Sequence, residues 1–509
     1  NRDDADARTR YALLVAGQSK NPRQKELAYQ ALTEALARSP GRVEVLRAAV
    51  PVAADLGLRR EARGFLEELR KAGVEDAGLM RHQARLELAE RKPDKAEEWY
   101  RKAVNAAPAD PEVSSELAAV LREHLHAPDL ADREIDRLLR DGRGAPPVRL
   151  AAAQYFLRWG DAAKAERAVT TPAGDAAADD AGVLLAAAEA ALAQNKTAAA
   201  RRHLDRGVAR HPRDSRFPSG LARLELRGGN RERALALVGP HAAAQNLPPE
   251  ELWRLGNLLI DAGDLGKADD LIGRLGRDVP RWVPDYLRGR LAVGRQAWAE
   301  ARQLFAAVTG GGHELPPELA RQTYLLLADC HGRLGNPDGQ LAAYRRVTEL
   351  APQWVPGRRL LGSAYATLGR LNEAAQEYRI VAVADPDATV EFARVLARQA
   401  LRVPPADRRW AEIEELIDRA PPARRPEAQL LLAEARTAQG RVEDARGIAQ
   451  TERDRDPKQP GPWTVLVALA EREPDPAAAE AVITAAESQT GPRAEWAAAR
   501  VRRVVRAGG

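Results

Sequence analysis

The sequence contains one cysteine, Cys330, and one methionine in 509 residues. A lone cysteine excludes an internal disulfide, so redox chemistry does not decide the compartment. Aromatic residues make up only 5%, and Ala, Leu and Val carry most of the apolar mass. That palette suits close-packed helices and argues against sheets, which favour β-branched and aromatic side chains. No run of 18 apolar residues occurs: the most apolar stretch, around Val183 to Ala193, is interrupted by Glu189 and flanked by Asp179 and Asp180. The chain as it stands therefore lacks the pattern of a membrane span. It begins at Asn1, and no charged, apolar, small-residue leader follows; the expectation is a piece of a larger parent whose targeting segment has been removed.

Lysine is scarce too, only ten of the 78 basic residues. With Ile, Phe and Asn also sparse, this reads as the codon bias of a GC-rich, bacterial genome. The formal net charge of +5 is slight for this length, although the isoelectric point is about 9.3. Both signs are interleaved, as in Arg23, Lys25 and Glu26, or Glu97, Glu98, Arg101 and Lys102. Such patterning implies solvated, locally paired helix faces and argues against a phosphate-tracking stripe, hence against specific nucleic-acid binding.

What the sequence does have is a period. Ala28, Ala62 and Ala96 stand 34 residues apart, as do Ala200, Ala234 and Ala268. That is the length of a helix–turn–helix unit that stacks on copies of itself. The chain is 45% hydrophobic and 30% charged, so apolar surface for a core is ample. A stacked array also escapes the size limit on a single core, and length does not count its domains. A second series marks the first helix of each unit: Ala16, Val50, Ala84, Ala118, Ala153, Ala188, Ala222, Gly256, Gly289, Ala328, Gly362, Ala397, Ala433 and Val467 or Ala468. Roughly fourteen units follow, expected to form one continuous array over residues 1–509. Nearly every step is 33 to 36 residues; the step of 39 from Gly289 to Ala328 places a loop insertion at 309–317. Residues 391–421 read as a degenerate unit.

The unit from Trp354 to Pro386 is the clearest. Leu361, Gly362 and Tyr365 give its first helix one buried face, and Gly362 lets the second helix approach. Gly369 supplies the turn. Asn372 to Ala375 start the second helix, Ala374 sits where the helices touch, Tyr378 fills the gap one turn on, and Pro386 ends the unit. These residues resemble the tetratricopeptide repeat. The pattern returns in Leu255, Gly256, Gly263, Ala268 and Pro280, in Ala328, Gly335, Tyr344 and Pro352, and in Ala84, Ala96, Tyr100, Ala103 and Pro108. Val50 in place of the small residue and Gln340 in place of the second-helix alanine are departures. The resemblance implies an all-α, right-handed solenoid of antiparallel helix pairs, with turns near Gly57, Gly160, Gly263, Gly335, Gly369 and Gly440.

No constellation for catalysis, cofactor or metal emerges. His124 and His126, two apart on an expected helix, point in different directions and cannot share a metal as an i, i+4 pair could. Cys330 reads as a buried small thiol. Gly310-Gly311-Gly312-His313 follows a helix and lacks the Lys-Ser/Thr of a phosphate-cradling loop. The reading is therefore non-enzymatic, with no cofactor.

Binding remains. In the family resembled, first helices line a concave face that holds extended peptides or helices of protein partners. Carried onto this sequence, that face offers Trp253, Asn257 and Asp261, then Tyr286 and Arg290, then Gln322, Asp329 and Arg333, then Arg359 and Ser363. Aromatics and arginines are the types enriched in binding hot spots; packing between units is the competing role for Trp253 and Tyr286. Glu377, in a second helix, reads as an isolated charge on the opposite face. Family members that grip a chaperone's C-terminal carboxylates use a Lys and Asn pair in the first such helix. Trp253 beside Asn257 breaks that pattern. Long Arg- and Ala-rich arrays resemble those of membrane-anchored or envelope proteins of bacteria, which favours a scaffold on the periplasmic side of an anchored parent. Two alternatives are the recruiting arm of an enzyme whose catalytic domain lies outside this chain and a self-assembling component. Asp3 to Ala16 and Glu495 to Arg506 both read as first helices without polar caps, so the ends are expected to continue or to dock.

Overall fold

A computed structural model describes residues 2–18, 22–171, 176–276, 279–312, 315–473 and 475–507. Two compact units divide the chain, residues 1–246 and 247–509. In the first, helices pair in sequence: α1 (Arg2–Gln18) with α2 (Pro22–Arg38), α3 (Val43–Asp55) with α4 (Arg59–Lys71), α5 (Ala77–Ala89) with α6 (Pro93–Ala106), and α7 (Pro111–Glu123) with α8 (Pro128–Asp141). Then come α9 (Pro146–Arg158) with α10 (Ala162–Val169), α11 (Ala181–Ala193) with α12 (Thr197–Arg210), and α13 (Arg216–Arg227) with α14 (Arg231–Ala242).

The second unit continues the scheme with α15 (Pro249–Ala262) and α16 (Leu265–Gly273), α17 (Trp282–Gly294) and α18 (Trp298–Gly310), α19 (Pro317–Arg333) and α20 (Pro337–Leu350), and α21 (Val355–Thr367) and α22 (Leu371–Ala384). It ends with α23 (Thr389–Ala400) and α24 (Trp410–Asp418), α25 (Arg425–Ala438) and α26 (Val442–Arg455), α27 (Pro460–Ala470) and α28 (Pro476–Thr490), and α29 (Ala494–Ala507). Among the described residues, β pairing is limited to one isolated bridge between Thr170 and Ala176. Within each unit this is an all-α solenoid. No helix among the described residues is long and apolar enough to cross a membrane.

The periodic alanines hold the pairs together. Ala28, Ala62, Ala96, Ala200, Ala234, Ala268 and Ala374 all have no exposed surface. A methyl group is the largest side chain that fits where two helix backbones meet at this distance. Gly362 shows how close that meeting is: a Cβ built there would stand 3.1 Å from the Tyr378 ring and 3.4 Å from Glu377 Cβ. Where Gln340 replaces the second-helix alanine, it lies against Gly332, whose missing side chain makes the room.

The turn between first and second helix takes a left-handed residue almost every time. All six glycines expected there have positive φ, from 66° at Gly335 to 88° at Gly263. Repeats without a glycine adopt the same conformation with Arg91, His126, Asn195 and Gln296. The backbone repeat is thus stricter than the sequence repeat, because the reversal is fixed by helix packing and the residue must follow. His124 and His126 accordingly lie at the cap and in the turn after α7, off the helix on which they were expected.

One register assignment changes, one of two candidates is selected, and one position packs loosely. Ala16 is half-buried, and Ala12 takes the fully buried place in α1. Val467, 2% exposed, fills the position that Ala468 was the other candidate for. Ala397 is only half-buried because its partner α24 has nine residues and starts after the connection 401–409. The degenerate unit is nevertheless a helix pair, with a cavity of about 330 Å³ beside Leu396, Ala400 and Ile413 where a longer second helix would pack. In the insertion at 309–317, His313 and Glu314 lie outside the described residues, while α18 runs on through Gly310.

Candidate functional site

First helices touch both their own second helix and the first helices of neighbouring repeats, as α3 does with α5, α7 with α9, α15 with α17 and α23 with α25. They therefore form one layer within each unit, and its solvent side is the candidate binding face. The residue just after the packed small residue lies on that side: Asn257, Arg290, Asp329 and Ser363 follow Gly256, Gly289, Ala328 and Gly362.

The expected site residues fall into three separate groups. In the first, Trp253 stacks on Tyr286 with ring centroids 5.1 Å apart and meets Trp282 edge-on at 5.9 Å. Tyr286 in turn meets Phe305 edge-on at 6.0 Å. Tyr286 is only 4% exposed, so its expected place on the open face is corrected: it packs between repeats, and burial raises the pKa of its hydroxyl. Trp253 remains half-buried. Beside them Asn257 donates Nδ2 to the Trp253 carbonyl at 2.7 Å and accepts from Arg290, which also reaches Asp261. Trp253, Asn257, Asp261 and Arg290 together fasten α15 to α17.

The second group is open. Asp329 and Arg333, one turn apart on α19, are 52% and 61% exposed and lie 3.7 Å apart. The Arg333 guanidinium sits 5.3 Å from the Trp298 ring, and Gln322 is exposed nearer the start of the helix. In the third group Arg359 reaches Asp385 at 3.1 Å and Glu391 at 3.3 Å. Glu391 also takes Arg424 at 3.3 Å, Arg424 takes Glu427 at 2.7 Å, and Glu427 takes Arg394 at 2.7 Å. This chain of charges crosses α21, α23 and α25. Ser363 is exposed on α21.

The same device recurs in the first unit. Arg81 and Arg85 on α5 both reach Glu116 on α7, which also accepts from the Tyr100 hydroxyl at 3.0 Å. Burial opposes ionisation of Glu116, but hydrogen bonds from both arginines hold its pKa below the ordinary glutamate value. On the next repeat, Asp132 takes Arg122 at 2.8 Å, the Tyr155 hydroxyl at 2.8 Å and Lys164 at 2.6 Å. Lys25 with Asp55 and Lys196 with Glu166 span 30 residues each. Much of the interleaved charge thus pairs across repeats, at about one repeat length, in addition to pairing along a helix. Glu377 is paired within its own repeat: it accepts from Arg358 on the facing helix α21 at 2.8 Å, with both side chains 18% exposed, so it is not the isolated charge expected. Exposed pairs between repeats contribute about 0–1 kcal/mol each; their main effect is to set the register of one repeat on the next.

Cys330 is fully buried and its thiol is pushed up to about 11, chiefly by burial. Among the described residues no group of three or more His, Cys, Asp or Glu side chains comes together to hold a metal ion.

One pair of residues was missed. Arg223 and Arg227 on α13 occupy the same register as Asn257 and Asp261 on α15, because Ala222 corresponds to Gly256, and both are exposed. The 34-residue step would have found them.

Paired helices in fixed register, a buried small residue per pair and a varied exposed position beside it define a helical-repeat scaffold. A family model for the tetratricopeptide repeat matches residues 47–111, 185–243, 286–353 and 411–460. These four regions of the chain are tetratricopeptide repeats, and arrays of such repeats are protein-interaction scaffolds. Among solved structures, one described as "Crystal structure of APC/C hetero-tetramer Cut9-Hcn1" is 12% identical, with 76% of this chain and 96% of that chain covered at a TM-score of 0.38. No curated protein matches.

Proposed function

We propose that the protein holds an extended segment or helix of a protein partner on the solvent side of its first-helix layer and performs no chemistry on it. The observation that carries this reading is the contrast between neighbouring positions. The packed residue in five successive repeats is small, Ala222, Gly256, Gly289, Ala328 or Gly362, while the residue after it varies: Arg223, Asp329 and Ser363 are exposed, Asn257 and Arg290 half-buried. A constant frame with a varied face is what selective recognition by a repeat array requires. Arg290 and Arg359 contribute chiefly to the frame, whereas Asp329, Arg333, Gln322 and Ser363 have free surface to offer. The Arg- and Ala-rich composition further supports a bacterial source, and we place the scaffold in an envelope or export-associated parent.

The test is a pull-down from the native extract with a swapped variant, Asp329→Arg with Arg333→Asp. The swap keeps net charge and the i, i+4 pair, so fold and stability change little. Loss of the retained partner supports the reading; retention of the same partner at the same level by the swapped chain contradicts it.

Self-assembly is the second reading, favoured by Val501, Val504 and Val505 on α29, which are 61%, 72% and 69% exposed along one helix face. Mass in solution distinguishes it: a concentration-dependent oligomer that Val504→Glu converts to monomer supports assembly through this face.

A further inference from the structure

The chain's net positive charge is concentrated in one place. Residues 201–233 hold ten arginines and four carboxylates, a net of +6, whereas all 509 residues together carry +5. Four of those arginines are paired: Arg201 with Glu225 at 2.8 Å, Arg206 and Arg210 with Asp179 at 2.6 and 3.2 Å, and Arg216 with Asp214 at 2.6 Å. Arg223, Arg227, Arg231 and Arg233 are exposed and make no ion pair among the described residues. Glu225 is 3% exposed, held by Arg201 and, at 2.9 Å, by Asn230 Nδ2, and also attracts Arg233, while exposed Glu232 stands between Arg231 and Arg233 and offsets one of their charges. Elsewhere on first helices arginines are neutralised by a neighbouring repeat, as Arg290 is by Asp261 of the preceding one and Arg359 by Glu391 of the following one.

Position turns this excess into a surface. Arg223 and Arg227 lie one turn apart on the face of α13 opposite its buried residues Leu221, Leu224 and Glu225. The turn at Gly228 and Gly229 then brings the chain directly to Arg231 at the start of α14, whereas Arg233, two residues on, points to another side of that helix. Cations at a helix start are opposed by the helix dipole, and Glu232 in the same turn offsets only one of the two arginine charges. Four residues of α13 rise about 6 Å, close to the roughly 6.5–7 Å between alternate side chains of an extended chain. Guanidinium groups match carboxylates in two-pronged geometry. A nucleic-acid strand fits less well: between residues 197 and 242 the one Phe, Tyr or Trp, Phe217, is fully buried, so no large ring is offered for base stacking. Exposed Glu189, in the same register on α11, would also repel a continuous phosphate backbone.

We propose that Arg223 and Arg227, with Arg231 at the start of α14, form a docking surface for an extended, carboxylate-rich protein segment with acidic residues at alternate positions. This rests on the reading of the first-helix layer as a binding face and names the chemistry of one partner. The experiment pans a library of short random peptides against the full chain, then measures the enriched peptides by fluorescence anisotropy. The expected peptides are rich in Asp and Glu at alternate positions. Arg223→Glu with Arg227→Glu should weaken them by about tenfold or more, and Arg223→Gln with Arg227→Gln by less. Arg60→Glu, a like change on α4, should stay within about twofold. Enriched peptides that are neutral or basic but are lost in the Asp329/Arg333 swap would overturn the inference and leave the scaffold reading standing. If no peptide is enriched, both fall. A single-stranded oligonucleotide that binds more tightly than every peptide and is lost in the same arginine variants would reassign the surface to nucleic acid and overturn the inference.

Discussion

Gly256 and Gly289 hold the same place in successive repeats, yet replacing each with alanine should act in opposite directions. A Cβ on Gly256 would meet only Leu287, at 3.7 and 3.9 Å, which is ordinary contact. The change then gains helix propensity and a stiffer unfolded chain, worth about 0.5–1 kcal/mol. A Cβ on Gly289 would stand 2.7 Å from Phe305 Cε1 and 3.0 Å from two further ring atoms. Phe305 is completely buried and packed edge-on against Tyr286, so its ring cannot swing away. Overpacking costs about 1–3 kcal/mol; set against the same propensity gain, Gly289→Ala should destabilise by about 0–2 kcal/mol. Because a repeat array opens locally, the measurement is native-state hydrogen exchange across α15 to α18, not a single melting temperature. Gly256→Ala should slow exchange there and Gly289→Ala should speed it. Equal shifts in the same direction would refute the packing argument.

Other substitutions test the frame and its charges. Ala374→Leu or Ala268→Leu, at positions with no exposed surface, should overpack the pair and cost about 1–3 kcal/mol, seen as faster exchange confined to the mutated repeat. Gln296→Gly should relieve a left-handed turn with φ 59° and stabilise α17 and α18 by about 1 kcal/mol; a loss of protection would contradict the turn assignment. His82 has its pKa lowered by burial and by Arg85 and Arg81. The unfolded chain therefore binds the proton first, and stability that is present above pH 6.5 should fall as pH drops through that value. His82→Gln should flatten the loss of protection in α5 between pH 7.5 and 5.5, and an unchanged pH dependence would contradict it. The buried Cys330 thiol, raised to about 11, should react with a disulfide reagent at pH 8 only as fast as α19 opens; immediate labelling would show it to be accessible.

How much of this was legible follows from distance along the chain. Gly369, Ala374, Tyr378 and Pro386 act on neighbours within one repeat, so their spacing alone located the turn, the contact, the filler and the stop. The roles of Tyr286, Arg290 and Arg359 depend on Phe305, Asp261 and Glu391 in adjacent repeats, where side-chain reach matters as much as register. Exposure was therefore misjudged for Tyr286, and isolation for Glu377, whose partner Arg358 sits on the facing helix. Arg223 and Arg227 were open to the same 34-residue step, but no exposed aromatic stands on α13 to mark the position. The shortened α24 left no local signal beyond the lost pattern.

The central claim is that partners are held on the first-helix layer and not on the second helices. Photo-crosslinking tests it directly, with a photoreactive amino acid placed at Ser363 on α21 in one chain and at Gln376 on α22 in another; both residues are exposed. Irradiation in the native extract should give partner adducts from position 363 and none from position 376. Adducts from position 376 alone would put recognition on the second helices and contradict the account.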